Sequence, residues 1–258
     1  MTLPPIFSPE YYDHWRDFEA THWWTGGMRD VAGLLFGLAK LPDRGVLLDV
    51  GCGSGQGMQW FAGARPGWST AGVDLGMHGL RTAHQSGLLS IVQGSGTELP
   101  VASASVDVVI SLDVLQHLPL DGGDRAALRE AHRVLRPGGY LFVRTNAQAF
   151  PRVPDDPVAV WHKYDPDELA GKLRATGFTI LRLSRINALL GLAEIPGELR
   201  RAQAGRGHSS YQVVAAPPRR LPAWSSALKR AWLRSEGRAV RAGLRLPVGR
   251  SLVALCRA

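Results

Sequence analysis

Val46-Leu47-Leu48-Asp49-Val50-Gly51-Cys52-Gly53-Ser54-Gly55 begins as an apolar run and ends in a glycine loop. Five residues rich in Val and Leu read as a buried strand. Glycines at alternate positions then allow tight turns and close approach of a ligand to the main chain. Residues 57–64 carry helical patterning, so the loop joins a strand to a helix whose first amides face a crevice. Such a loop also makes ordinary strand-to-helix turns. Asp74 adds to it: it ends the next apolar run, 25 residues after Asp49, where a carboxylate accepts from both hydroxyls of a ribose.

Working outward, further short β-branched runs at residues 69–74, 89–93, 106–112 and 140–145 alternate with helical stretches at 79–86 and 124–135. Strands separated by helices pair in parallel through right-handed crossovers, because a tight turn cannot close a parallel pair. The fold class is therefore α/β, a doubly wound sheet with its ligand at the carboxyl ends of the strands. Asp165-Pro166-Asp167-Glu168 predicts a helix start, with a capping carboxylate, proline at the first position and an acidic first turn. That helix ends near Thr176-Gly177, and residues 178–183 resume as a strand. From 187 to 246 the alternation lapses into helical patterning, and 251–256 reads as a last strand. At the other end, Ser8-Pro9 opens a helix crowded with Tyr11, Tyr12, Trp15 and Phe18, followed by His22-Trp23-Trp24. Gly26-Gly27 is expected to break it, with a second helix over 28–40.

The dinucleotide fingerprint needs a glycine at the sixth position, where this chain has Gln56 or Met58 depending on the register. Asp49 entering the loop suits a ligand with an ammonium better than one with a pyrophosphate. Here the sequence resembles the class I S-adenosylmethionine-dependent methyltransferases, whose first motif is an acidic residue followed by Gly-x-Gly-x-Gly. The resemblance continues through Gly94-Ser95-Gly96-Thr97-Glu98-Leu99-Pro100, Asp113-Val114-Leu115-Gln116-His117-Leu118 and Leu135-Arg136-Pro137-Gly138-Gly139. It implies a seven-stranded Rossmann-like sheet, mostly parallel with an antiparallel last strand, and S-adenosylmethionine as cofactor. It divides the chain into N-terminal lid helices (1–44), a cofactor-binding core (45–186), a basic helical insertion (187–248) and the final strand (249–258). On this resemblance Asp49 and the amides near Gly51, Gly53 and Gly55 hold the methionine portion. Asp74 binds the ribose, Leu75 lies against the adenine, Ser95, Gly96 and Thr97 border that ring, and Asp113 lies on the cofactor side. Many relatives place an aspartate where this chain has Ser95, so a rearranged adenine contact is expected.

A sulfonium already activates its methyl group, so the protein must chiefly align an acceptor and exclude water. If the acceptor is a hydroxyl or a protonated amine, a base within hydrogen-bond reach helps. His117 is the first catalytic candidate and His22 the second. Trp23, Trp24 and Tyr12 suit an apolar lid over the acceptor, or equally a staple of the N-terminal helices to the sheet. His162 and Tyr164 are acceptor-side candidates whose plainer role is loop packing. The acceptor is expected to be a small molecule, of specialised metabolism or linked to a lipid or glycan. An RNA methyltransferase and a non-catalytic protein that keeps the fold are the alternatives.

Charge is unevenly spread. Residues 1–179 carry 15 basic and 19 acidic side chains, whereas 180–258 carry 15 and 3. In a helix over 224–245, Arg230, Arg234, Arg238, Arg241 and Arg245 share one face, with Leu228, Trp232, Ser235, Ala239 and Ala242 on a strip beside it. That pattern suits an anionic membrane surface or an acidic substrate, and equally a surface helix packed by its apolar strip. No separate nucleic-acid-binding module appears, so nucleic acid is not the expected partner. Cys52 and Cys256 have neither metal-ligand nor disulfide spacing, so no metal is expected. With no signal-peptide pattern at Met1-Thr2-Leu3-Pro4-Pro5, the expected setting is the cytoplasm, with peripheral membrane contact open.

Overall fold

In the computed structural model, which describes residues 12, 16, 22–119, 121–148, 162–203 and 222–258, the run after Arg44 forms β1 (Gly45–Val50). It pairs in parallel with β2 (Trp68–Asp74) on one side and β4 (Val106–Leu112) on the other. The sheet has seven strands in the order β3-β2-β1-β4-β5-β7-β6, where β3 is Ile91–Gln93, β5 Leu135–Asn146, β6 Thr179–Ile186 and β7 Ser251–Arg257. β7 runs antiparallel between β5 and β6. The chain leaves β1 toward β2 and β3, then returns to the other side of β1 with β4. That reversal opens a crevice at the carboxyl ends of β1 and β4. The register sets Val50 beside Val73, which brings Asp74 level with the first glycine of the loop.

The period-two alternation of the strands feeds two apolar layers. Leu48, Val50 and Val109 face α4 (Gly123–Val134) and α5 (Pro166–Ala175), with Leu128, Val134 and Leu169 among the packed residues. Leu47, Val108 and Ile110 face the opposite layer, which includes Met28, Val31 and Leu35 of α1 (Trp23–Phe36) and Phe61 of α2 (Gln56–Ala64). Each such buried side chain contributes about 2 kcal/mol. α3 (Met77–Gln85) connects β2 to β3. The Asp165 carboxylate caps α5 at the Asp167 amide, as the sequence predicts.

Two expectations change and a third gains detail. First, α1 runs unbroken through Gly26-Gly27. The glycines serve packing instead. A Cβ at Gly27 would lie 2.7 Å from Leu233 Cδ1 and one at Gly26 3.3 Å from the Arg230 guanidinium, both on α7 (Ala223–Arg241). Second, β5 begins at Leu135, so Arg136 to Gly139 form an irregular start of the strand instead of a separating turn. Third, the stretch after β6 resolves into α6 (Ala188–Gln203) and α7, and Glu236 of α7 accepts the Asn187 and Ala188 amides at 2.6 and 3.0 Å, fixing the start of α6. The helix expected from Ser8 lies outside the described residues except for Tyr12 and Arg16, both helical.

α1 and α7 run the same way, because Gly27 meets Leu233 and Gly37 meets Arg241. Gly27→Val is therefore expected to force these helices apart and cost about 2 kcal/mol, the usual penalty of overpacking. A thermal midpoint unchanged from the parent would contradict that close approach.

Candidate cofactor and acceptor site

Gly51, Gly53 and Gly55 all take positive φ, at 77°, 52° and 82°. Gly51 also lies under the loop after β4, since a Cβ there would sit 2.2 Å from Val114 Cγ2. Four of the loop's amides are bonded within the fold. Gly51 and Cys52 donate to the Val73 carbonyl at 2.7 and 3.1 Å, Gly53 to Asp74 Oδ2 at 2.7 Å, and Gly55 to the Cys52 carbonyl at 2.8 Å. The amides of Gly51, Gly53 and Gly55, expected at the methionine portion, thus already have partners inside the fold. What the loop offers a ligand is close Cα surface and carbonyl oxygen. Asp49 is buried and lies over the first turn of α2, where a Cβ at Gly57 would be 2.4 Å from Asp49 Oδ2.

The Asp74 carboxylate is fixed from three directions. Gly53 and Gly76 donate amides to it at 2.7 Å each, and the Tyr12 phenol donates to Oδ1 at 2.9 Å. A ribose hydroxyl would take the place that the Tyr12 phenol occupies on this carboxylate. Above Gly53 a Cβ would meet, among the described residues, only the Tyr12 ring, at 3.9 Å. These residues fit the ribose end of S-adenosylmethionine. Tyr12, expected on the acceptor side, instead stands at Asp74. Leu75 is exposed just beyond it. Ser95 Oγ accepts the Thr97 amide at 3.2 Å and lies 2.7 Å from the Thr97 hydroxyl, with Gly96 between them. Ser95 thus holds its own turn, in the position where many relatives place an aspartate.

Across the crevice, Asp113 adopts the left-handed region, with φ of 61°. Arg144, near the carboxyl end of β5, grips Asp113 Oδ2 through Nε and Nη2 at 3.0 and 2.6 Å. The guanidinium lies 4.7 Å from the Trp24 ring centroid. Asp113 is therefore engaged by Arg144 at the mouth. Sequence reasoning missed Arg144; its signal is one charge ending the apolar run Tyr140-Leu141-Phe142-Val143. Trp23 carries the Lys229 ammonium at 5.5 Å. His22, the second catalytic candidate, is the N-cap of α1: its Nδ1 accepts the Trp24 amide at 3.3 Å, and burial followed by the Lys229 charge lowers its pKa. It positions the aromatic turn.

His117 lies in the short 3₁₀ turn Leu115–His117, beside Gln116, which also accepts the Asn146 amide at 2.9 Å. Burial pushes the His117 imidazole down to about 4, against the opposing pull of Asp113. The ring is neutral at physiological pH. Because the folded value lies below the ordinary 6.5, the unfolded chain binds the extra proton between these limits. Stability from this group is complete above about pH 6.5 and falls away toward pH 4. His117→Gln is expected to flatten the stability profile over that window by about 3 kcal/mol, measured by denaturant titration at a series of pH values. An identical slope in parent and variant would contradict a buried neutral His117.

His162 donates its amide to the Gln116 carbonyl at 2.8 Å, and its Nε2 lies 2.9 Å from Glu168 Oε1, which places it behind the β4 turn. Tyr164, an acceptor-side candidate whose plainer role is packing, is an interior post. It is only 1% exposed, and its hydroxyl donates to the Leu115 carbonyl and Asp124 Oδ2 at 3.1 and 3.0 Å. Lys172 joins Asp124 in the same buried network. Among the described residues no group of three metal-ligating side chains occurs.

A doubly wound sheet with a glycine loop after β1 and an amide-fixed carboxylate after β2 is the architecture of a class I S-adenosylmethionine-dependent methyltransferase. Residues 48–143 match the family described as methyltransferase domain, a match that supports S-adenosylmethionine as the cofactor. A probable S-adenosylmethionine-dependent methyltransferase of Mycobacterium tuberculosis is 32% identical over 173 residues, 62% of this chain and 61% of that protein. A tRNA (carboxymethyluridine(34)-5-O)-methyltransferase of Arabidopsis thaliana is 29% identical over 106 residues, 41% of this chain and 25% of that one. The matches thus span between a quarter and about three fifths of these relatives. Among solved structures, Haemonchus contortus phosphoethanolamine N-methyltransferase 2 in complex with S-adenosyl-L-methionine shares the fold, with a TM-score of 0.64 at 14% identity over 98% of this chain and 58% of that one.

Proposed function

We propose that the chain transfers the methyl group of S-adenosylmethionine to an oxygen or nitrogen of a small-molecule acceptor seated between Trp24, Arg144 and His117. The observation that supports it is the Asp113–Arg144–Trp24 cluster, which stands across the crevice from Asp74 with neutral His117 in the adjoining turn. In this reading Asp74 holds the ribose, Leu75 and Ser95 to Thr97 border the adenine, and Asp49 favours the ammonium end. When bound, the cofactor supplies a methyl group already activated by positive sulfur. The chain's own residues do the rest. Trp23 and Trp24 cover the acceptor and keep water out, and the Arg144 plane orients an acidic or aromatic group. Neutral His117 accepts the proton that a hydroxyl or neutral amine acceptor loses as the methyl group arrives, a late transfer for which a weak base suffices.

The likeness to the tRNA enzyme favours a second reading, an RNA acceptor, but it covers only a quarter of that protein. Incubation with methyl-tritiated cofactor separates the two. The proposal expects label in pooled carboxylated, phosphorylated or phenolic small molecules and none in total RNA. Label in RNA alone overturns it. Cofactor binding without any transfer overturns it in favour of a non-catalytic protein. The division at residues 44, 186 and 248 belongs to this proposal, with 187–248 shaping acceptor choice. So does a cytoplasmic setting, supported by two buried free thiols at Cys52 and Cys256.

A further inference from the structure

α7 presents three sides. Leu233, Glu236, Gly237 and Val240 are buried, with Gly237 against Val31 and Leu34 of α1. Beside them runs an arginine side. Arg230 grips Asp30 through Nε and Nη2 at 2.7 and 3.0 Å, and Arg234 approaches the same carboxylate at 3.7 Å. Arg238 and Arg241 continue that side, exposed and without an ion pair among the described residues. The third side, opposite the buried one, is apolar and aromatic. Trp224, Leu228 and Trp232, one helical turn apart, are 73%, 66% and 47% exposed. The Trp232 indole N–H donates to buried Glu236, which anchors that ring while leaving its body outward. The strip that amphipathic patterning would turn inward therefore faces out, because the packing side is built on Leu233, Gly237 and Val240.

From this geometry we infer that α7 docks on an anionic phospholipid bilayer, with Trp224, Leu228 and Trp232 entering the headgroup–acyl boundary and Arg238 and Arg241 on lipid phosphates. Tryptophan and leucine beside arginine are the composition that partitions into this zone, and charge sets the sign of the partner. Residues 180–258 carry 15 basic side chains against 3 acidic ones, and exposed Arg238, Arg241 and Arg245 place part of that charge beside the strip, where it complements phosphate. A second copy laid on the same strip would bring like arginines together. No helix among the described residues is long and apolar enough to cross a membrane, so the contact is one of lying on the surface. Its orientation follows from α1. Lys229 stands over Trp23, and Trp24 of the same turn stacks on Arg144 at the mouth of the site. The Trp224 end of the strip thus lies at the acceptor end of the molecule.

The test is sedimentation of the full chain with large phosphatidylcholine vesicles, with and without phosphatidylglycerol, alongside tryptophan emission. The expected result is binding only to the anionic vesicles, a blue shift, and weakening as salt rises. The double variant Trp224→Ser, Leu228→Ser should bind about tenfold less or weaker still, with unchanged melting and unchanged S-adenosylmethionine affinity, since both side chains are exposed and away from Asp74. No binding to anionic vesicles, or equal binding by the variant, overturns the inference. So does a vesicle-free dimer, or an RNA complex, that the same double variant dissolves, because either would give the strip to another occupant.

Discussion

Asp74→Ala is expected to raise the dissociation constant for S-adenosylmethionine by about a hundredfold or more. The carboxylate holds the Gly53 and Gly76 amides, and a ribose hydroxyl would take the place that the Tyr12 phenol occupies on it. Hydrogen bonds to a charged acceptor contribute about 1.5–3 kcal/mol each, so losing a pair from the ribose removes at least about 3 kcal/mol of binding. The alanine also strands the Gly53 amide and loosens the loop that faces the ligand. Asp74→Asn keeps one acceptor oxygen and should fall between, about tenfold weaker than the parent. Melting of each variant without ligand separates loss of the site from loss of the fold. Parent-like affinity in a folded Asp74→Ala protein would remove the ribose contact from the account.

The second large effect is on stability. Lys172→Met is expected to cost about 3 kcal/mol, because it leaves the Asp124 carboxylate buried without its cation. The pair is well enclosed, with the lysine and aspartate side chains 16% and 6% exposed. Burial pushes the Asp124 carboxyl up, but Lys172 and Tyr164 as donors, the Lys172 charge and the Arg125 amide outweigh it and hold it below its ordinary range. Its stabilising contribution is therefore present above the unfolded value of 3.8 and is lost as pH falls below it. In Lys172→Met the carboxyl loses its main counterweight, so acid unfolding should begin at a higher pH. Adding Asp124→Asn to Lys172→Met should recover part of the loss, since no unpaired charge is then buried. Denaturant midpoints of the parent, single and double variants at neutral and acid pH read all of this. A single variant as stable as the parent would mean the network bears no load.

What was legible in the sequence is what local chemistry dictates. Asp165-Pro166-Asp167-Glu168 starts a helix because its cap, proline and acidic turn act within four residues. Asp74 was legible because strand length and spacing alone carry it to the carboxyl edge beside Gly51. The misreadings share one cause: the partner lies far off in the chain. Gly26-Gly27 looks like a break until Leu233, some 200 residues on, is seen to need the space. The α7 wheel shows its stripes but not which of them the fold covers. Tyr164 looked like a loop residue and is a buried post, since its partners Leu115 and Asp124 come from the β4 turn and α4. Arg144 was hidden by the apolar strand it ends, and its meaning appears only where Asp113 and Trp24 meet it.

The most direct measurement is a calorimetric titration of the full chain with S-adenosylmethionine and, separately, with NAD. The expected result is one micromolar site for S-adenosylmethionine and no heat from NAD, because Gln56 and Met58 stand where a pyrophosphate loop needs glycine. Binding of NAD in place of S-adenosylmethionine, or of neither, would contradict it.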